Sequence, residues 1–107
     1  MFTRIVEVTS KPGKSHEVAD LIHQKILPIL RQQTGFIDEI ILESDTEPDL
    51  VVAMSFWKTM ADAEKYHREN FAKITQPILP VTEGTPVVRT FNVHTSTAHK
   101  IAKGLAA

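Results

Sequence analysis

The segment Leu50–Trp57, which reads LVVAMSFW, constrains the fold more than any other part of the chain. A strand with one face in water alternates apolar and polar residues, but this one is apolar at nearly every position. Its alternate side chains form two sets, Leu50, Val52, Met54 and Phe56 in one and Val51, Ala53, Ser55 and Trp57 in the other. Both faces of this strand therefore need cover, so we expect a sheet that is packed on both sides.

Local patterns predict the remaining elements. The predicted strands are 2–9, 36–44, 50–57 and 86–93, and the predicted helices are 15–33 and one that follows Thr59. Thr59 and Asp62 have the spacing of a helix cap. Pro28 should kink or loosen the first helix, because proline removes a hydrogen bond. Pro77 and Pro80 should end the second helix.

The resulting order, β-α-β-β-α-β, predicts an α+β, ferredoxin-like domain over residues 1–93. It consists of a four-stranded antiparallel sheet with both helices on one face. Residues 94–107 are polar and rich in small side chains, so we expect a C-terminal tail. Two helices cover one face only, and an apolar second face predicts a homodimer through sheet-to-sheet packing. The alternative is a monomer whose tail folds across the sheet.

Composition excludes several classes of partner. Twelve basic and thirteen acidic residues are interspersed and give a net charge of −1, which does not favour nucleic acid binding. The apolar runs are shorter than the roughly 20 residues that span a membrane. The N-terminus lacks the pattern of a signal peptide. The 107-residue chain has no cysteine, so disulfides and thiolate metal sites are excluded and a cytoplasmic location is expected.

The five histidines do not have the spacing of a metal site, so no metal is predicted. Motifs for nucleotide, flavin or nicotinamide binding are also missing, so no cofactor is implied. His16 and His23 share a flank of the first helix, and we interpret them as solvated or at the rim of a pocket. His94 and His99 in the tail are expected to be exposed.

The second helix carries the candidate chemistry. Its apolar arc, at about 100° per residue, contains Met60, Ala63, His67, Phe71 and Ile74. An imidazole on that arc points inward, either as a core residue with a satisfied hydrogen bond or as the wall of a pocket. Tyr66 and Asn70 lie on one margin of the arc.

A pocket for a small apolar or aromatic ligand is predicted between this helix and the sheet. Trp57 supplies an aromatic wall, and the small Ala53 and Ser55 beside it leave room, although simple packing is the alternative. Arg4 and Arg89 lie on outer strands, where each binds an anionic oxygen or forms a surface salt bridge. Glu39 lies among apolar neighbours on the second strand.

These features together resemble the antibiotic biosynthesis monooxygenase (ABM) domain family over residues 2–93. The matching pieces are 11–14 (KPGK), 35–36 (GF), 56–57 (FW) and Ala63, His67 and Phe71. The resemblance implies a dimeric α+β barrel. In the best-known branch it also implies oxidation of anthrone-like or quinol-like phenols by O₂ without a cofactor.

The resemblance also suggests roles for individual residues. His67 becomes the base or the partner of the substrate anion, and Tyr66 or Asn70 becomes the hydrogen-bonding group. Trp57 and Phe71 form the water-excluding wall. The substrate-binding set that this interpretation predicts is Trp57, Phe71, Ser55, Arg89 and His23.

The family also contains branches with other functions. A haem-degrading branch uses an asparagine on strand one with a tryptophan and a histidine on helix two, and this chain lacks that pattern. An isomerase branch that acts on a phosphorylated sugar uses histidines, so His16, His23 and His67 keep it open. A non-catalytic dimeric binding module would use the same pocket.

Overall fold

A computed structural model describes residues 1–99 and the backbone of residues 101 and 102. The four long strands are β1 (Phe2–Ser10), β2 (Phe36–Glu43), β3 (Leu50–Trp57) and β4 (Thr82–Asn92), and the helices are α1 (Ser15–Leu21), α2 (Leu27–Leu30) and α3 (Met60–Ile74). Two-residue strands β5 (Thr95–Ser96) and β6 (Ile101–Ala102) form a separate small pair. Within the described ranges, no helix combines the length and the apolar character that crossing a membrane requires.

The four long strands form one antiparallel sheet in the order β2-β3-β1-β4. This topology confirms the predicted ferredoxin-like α+β fold. The apolar segment β3 occupies an interior position, as its composition requires. We call the face that the helices cover the inner face; it carries the row Arg4, Ser55 and Glu39, which pair directly across three strands. The opposite face is called the outer face.

The first helix is interrupted in its middle. A single helix over 15–33 is predicted, but a π-helical turn, Ile22–Ile26, separates α1 from α2, and α2 ends at Leu30. Pro28 lies in the first turn of α2. Because proline has no N–H to give to the carbonyl four residues earlier, the preceding turn widens. The interruption still keeps Ile22 and Ile26 buried against the sheet.

Strand β2 begins with a bulge that alternation could not reveal. The sequence pattern puts Phe36 on the same face as Ile40, but the pairing register shifts between Phe36 and Asp38. Phe36 is therefore opposite Trp57 on the inner face, and the two ring centroids are 5.6 Å apart. The bulge inserts one extra residue and so reverses the side on which Phe36 lies.

Strand β4 starts earlier than predicted, at Thr82 rather than at Pro86. Its pairing with β1 shifts register between Glu7 and Thr9, close to Pro86. β4 is an edge strand, where a proline without an N–H is tolerated at such an irregularity. A 3₁₀ segment, Gln76–Val81, connects α3 to this strand and contains the two prolines that end the helix.

Helix α3 begins as predicted but is rotated relative to the predicted arc. The Thr59 hydroxyl accepts a hydrogen bond from the Asp62 backbone N–H, which confirms the cap. The buried side chains are Ala63, Tyr66 and Ile74, whereas Met60 is 54% exposed and His67 is exposed. The expectation that His67 points into the interior is therefore wrong, because the buried face is turned toward Tyr66.

The outer face remains largely without cover. Its large apolar side chains that stay exposed are Ile40, Leu42, Val87 and Phe91. Near one edge, the His99 ring lies on Phe56 with centroids 4.6 Å apart, and its Nε2 is 3.3 Å from an Asp38 carboxylate oxygen. His99 is therefore not exposed as predicted, although His94 is. Residues 100 and 103–107 of the predicted tail lie outside the described residues.

Candidate functional site

A narrow cavity separates the helices from the inner face of the sheet. Its interior volume is about 40 Å³, and about 470 Å³ when the open mouth is included. Most of its wall is aliphatic, from residues on β1, the π-helical turn, α3 and the 3₁₀ segment. The polar groups in the wall are those of Arg4, Glu39, Ser55, Tyr66 and Thr75. A largely apolar space with a few converging polar groups is typical of a small-molecule site.

Arg4 is the buried cation of this cavity, with only 3% of its surface exposed. Its Nη2 is 2.8 Å from Nδ1 of His67, and its guanidinium carbon is 5.1 Å from the centre of the Phe71 ring and 5.4 Å from that of Tyr66. No carboxylate of the described residues lies within 4.0 Å of its nitrogens. Burial lowers the pKa of Arg4, while Tyr66 acts in the opposite direction. A buried cation without an anionic partner is costly to the fold, so it is available to an anionic ligand.

His67 is hydrogen-bonded to Arg4 on the solvent side of the guanidinium. A guanidinium only donates, so Nδ1 of His67 accepts this hydrogen bond and the neutral ring carries its proton on Nε2. The imidazole stacks on Phe71, with centroids 4.8 Å apart. Partial burial and then the charge of Arg4 lower the pKa of His67, which favours the neutral ring.

His67 and Arg4 also line a second space, a groove of about 370 Å³ at the β4 edge. The other residues of this groove are Phe2, Ala63, Glu64, Arg68, Val88 and Thr90. Arg4 thus belongs to the wall of both the cavity and the groove. The ring of His67 lies on the groove side and does not line the cavity. It contacts two residues that do, Arg4 and Phe71.

Glu39 is a candidate functional residue to which the sequence analysis gave no role. Its Oε1 is buried and has no hydrogen-bond partner among the described residues. Burial, and then the negative charge of Asp38, raise the pKa of Glu39 to about 7. The available signal was a carboxylate in a strand of apolar residues, in register with small Ser55. The sequence alone could not show this, because the cross-strand neighbours of Glu39 become visible only once the strands are paired.

Tyr66 and Ser55 complete the polar part of the cavity. Burial raises the pKa of Tyr66 well above its ordinary value; Arg4 opposes this shift and Glu39 adds to it. The Ser55 hydroxyl accepts a hydrogen bond of 2.8 Å from the indole N–H of Trp57. Trp57 itself is fully buried beneath Tyr66, with ring centroids 5.1 Å apart. Trp57 therefore supports the cavity wall from behind and does not line it.

Three other predicted site residues lie away from the cavity. Asn70 donates to Gln33 Oε1 over 3.3 Å and so links α3 to the loop after α2. Arg89 is on the outer face, 63% exposed, with its Nε 3.3 Å from Glu7; this is the salt bridge that the sequence analysis gave as the alternative. His23 is exposed in the π-helical turn. In the part of the chain that is described, no group of three or more histidine or acidic side chains is placed to hold a metal.

The sheet topology and the cavity define a class, a ferredoxin-like α+β protein with a small, largely apolar cavity beneath its helices. The family model for antibiotic biosynthesis monooxygenase (ABM) matches residues 1–75, and the chain belongs to this family. The resemblance inferred from sequence is thereby confirmed. No curated protein matches the chain.

Solved structures share the fold at low sequence identity. SnoaB, a cofactor-independent oxygenase from Streptomyces nogalater, is similar with a TM-score of 0.71 and 12% identity, over 90% of this chain and 95% of that one. NE2512, a protein of unknown function from Nitrosomonas europaea, gives 0.73 and 14% over 90% and 91%. A conserved protein from Methanosarcina mazei Go1 gives 0.67 and 19% over 86% and 92%. At these identities the likeness shows the fold alone.

Proposed function

We propose that the protein is a cofactor-independent oxygenase that oxidises a small quinol-like or anthrone-like substrate in the cavity between α3 and the sheet. The observation that carries this proposal is Arg4, a buried guanidinium with no carboxylate partner among residues 1–99, in an otherwise largely apolar wall. Membership of the ABM family and a fold shared with the oxygenase SnoaB support it.

The chemistry needs the substrate as an anion. Once an aromatic ketone or phenol has lost a proton, its electron-rich ring reacts with O₂ and needs no external reductant. For an anthrone-like CH₂ group, CH₂ and O₂ become C=O and H₂O, and all four electrons come from the substrate. A fixed cation beside the developing oxyanion, in a site of low dielectric, lowers the barrier to forming that anion.

Each residue near the cavity then receives a role. Arg4 faces the substrate oxyanion, and the hydroxyl groups of Tyr66 and Ser55 hydrogen-bond to substrate oxygens. Phe71 lies against the ring. His67 positions Arg4 through its Nδ1, so its role is that of a holder of the anion-binding group.

We further propose a homodimer that forms by packing of the outer faces. The exposed apolar side chains of that face support it, since soluble monomers seldom leave such a surface in water. A two-fold axis lets the same patch on both copies cover itself.

The test is oxygen uptake by the purified protein with anthrone and with a naphthohydroquinone, with ¹⁸O₂ to trace the product. We expect one labelled oxygen in the product and the other in water. Arg4→Met should lower kcat about 10²- to 10³-fold, the usual loss for one oxyanion-stabilising group.

Arg89→Met is the matched control, because it removes a guanidinium from the outer face, and it should keep activity within about two-fold of wild type. Saturable binding of these ligands without oxygen uptake would contradict the oxygenase and leave a binding module.

A further inference from the structure

Glu39 has no role in the chemistry described so far, although its surroundings suggest one. It is the third member of the cross-strand row Arg4, Ser55 and Glu39. Neighbouring strands are about 4.8 Å apart, so the backbones of Arg4 and Glu39 are separated by roughly 10 Å. The small Ser55 between them leaves space above the sheet, and all three side chains line the cavity. A cation and an acid thus face one narrow space from two sides.

We propose that Glu39 is the proton acceptor of this site, and that the cavity takes an aromatic ligand whose acidic C–H or O–H faces Glu39 while its carbonyl or phenolate oxygen faces Arg4. This inference rests on the proposed function and deepens it, because it names the base that removes the substrate proton. The unpartnered Oε1 of Glu39 is the atom that receives the proton.

The steps balance with O₂ as the only co-reactant. The substrate C–H bond breaks, its proton moves to Oε1 of Glu39, and the electron pair delocalises onto the oxygen that faces Arg4. The anion adds O₂ at carbon to give a peroxide, and Glu39 returns the proton to the terminal oxygen. Loss of the second hydrogen from that carbon then breaks the O–O bond and releases one water and the ketone.

The groups around Glu39 suit a base that works near neutral pH. Asp38 on β2 is the neighbouring acid, and Arg4 on β1 and Tyr66 on α3 are the other titratable groups at the cavity. The side chains that the interrupted first helix presents to the cavity are the apolar Ile22, Ile26 and Leu30. With its pKa raised to about 7, Glu39 is partly ionised at neutral pH and strongly basic for a carboxylate. His67 is a poorer candidate, because its Nδ1 already accepts from Arg4.

The experiment separates proton transfer from oxidation. Under anaerobic conditions in D₂O, wild-type protein should catalyse exchange of the anthrone methylene protons, followed by NMR. In air, oxygen uptake is measured over pH 5–9. Glu39→Gln should slow both exchange and uptake about 10²-fold, and the rise of kcat/KM with pH, half-complete near the Glu39 pKa of about 7, should disappear. Glu39→Asp, which keeps a shorter acid, should restore part of both activities.

Asp38→Asn is the matched control, since it neutralises the adjacent carboxylate without changing the cavity. It should keep kcat and move the midpoint of the pH profile downward, because the negative charge of Asp38 raises the pKa of Glu39. Far-ultraviolet circular dichroism checks that each variant folds.

The two measurements, proton exchange and oxygen uptake, test the acceptor role of Glu39 and the oxygenase activity separately. If Glu39→Gln retains proton exchange within about three-fold of wild type, Glu39 is not the acceptor, while the oxygenase stands if uptake persists. If wild type exchanges protons without consuming oxygen, the oxygenase fails, and loss of exchange in Glu39→Gln still supports the acceptor. If wild type does neither, both proposals are overturned.

Discussion

The inner and outer faces of the sheet come from the same four strands, yet each carries side chains that are unusual for its exposure. The covered face has charged groups, and the uncovered face has large apolar groups. The inner face, covered by helices, holds the buried guanidinium of Arg4 and the half-buried Glu39, whose Oε1 is buried. The outer face, without that cover, exposes apolar side chains such as Ile40 and Phe91. Burying a charge and exposing a large apolar group both cost free energy. Neither choice helps a monomer to fold, so each supports the role proposed for its face: ligand chemistry on the inner face and assembly on the outer.

The largest effect is expected from a charge on the outer face. Met54 lies between Ile5 and Ile40 in the register, at the centre of the outer face. Met54→Lys should raise the dimer dissociation constant about 10³-fold or more, because association would bury an unpaired ammonium. In the monomer the long side chain reaches water, so the fold should survive. Sedimentation equilibrium measures the constant.

Gln24→Lys adds the same charge on an exposed position of the π-helical turn and should leave assembly unchanged. A Met54→Lys protein that self-associates as tightly as wild type would show that the outer face is not the interface. The inner face would then keep its proposed role as the ligand site, and the outer face would have no role in assembly.

A smaller effect is expected at the close contact between the start of β2 and the first turn of α3. Gly35 has a φ of +81°, and a Cβ there would collide with the side chain of Asp62. Gly84 has a φ of +68° with open space around it. The left-handed backbone alone costs a non-glycine residue about 1 kcal/mol. We therefore expect Gly84→Ala to lose about that much stability and Gly35→Ala about 2–3 kcal/mol, because Asp62 must also move.

Urea denaturation at constant pH measures both glycine variants. Equal losses would mean that the first turn of α3 adjusts freely. The inner side would then be less tightly packed than the collision at Gly35 indicates.

The sequence predicted the features of this fold that depend on strong local signals. The doubly apolar strand β3 and the cap at Thr59 were both expected, and the structure confirms them. Each depends on residues that are adjacent in the chain. The family was also recognisable, because those local features recur in a fixed order.

The face that each candidate side chain occupies was harder to predict. The bulge at Phe36 reverses one strand position, and no composition rule locates such a bulge. In α3 the apolar arc is weak, so its centre is displaced toward Tyr66, and His67 moves from the interior to the groove side. The environment of Glu39 depends on three strands in register, which becomes visible only once the strands are paired.

An effect smaller than that of Gly35→Ala, and the sharpest test of the inner face, concerns His67. His67→Ala should lower kcat about ten-fold, which is about 1.4 kcal/mol, because Arg4 loses the acceptor that orients it. The rise of kcat/KM near pH 7 should remain, since that rise is assigned to Glu39. A histidine that served as the base would instead cost 10²- to 10⁴-fold and remove the pH dependence.

His67→Gln, which keeps an acceptor on the same turn of the helix, should recover part of the loss. His16→Ala is the matched control, because His16 is exposed and bonds to Glu43, outside the cavity. If His67→Ala flattens the pH profile while Glu39→Gln does not, the base lies on the groove side of Arg4. The substrate would then occupy the groove, and the cavity beneath the helices would hold at most its edge, because Arg4 is the residue that lines both spaces.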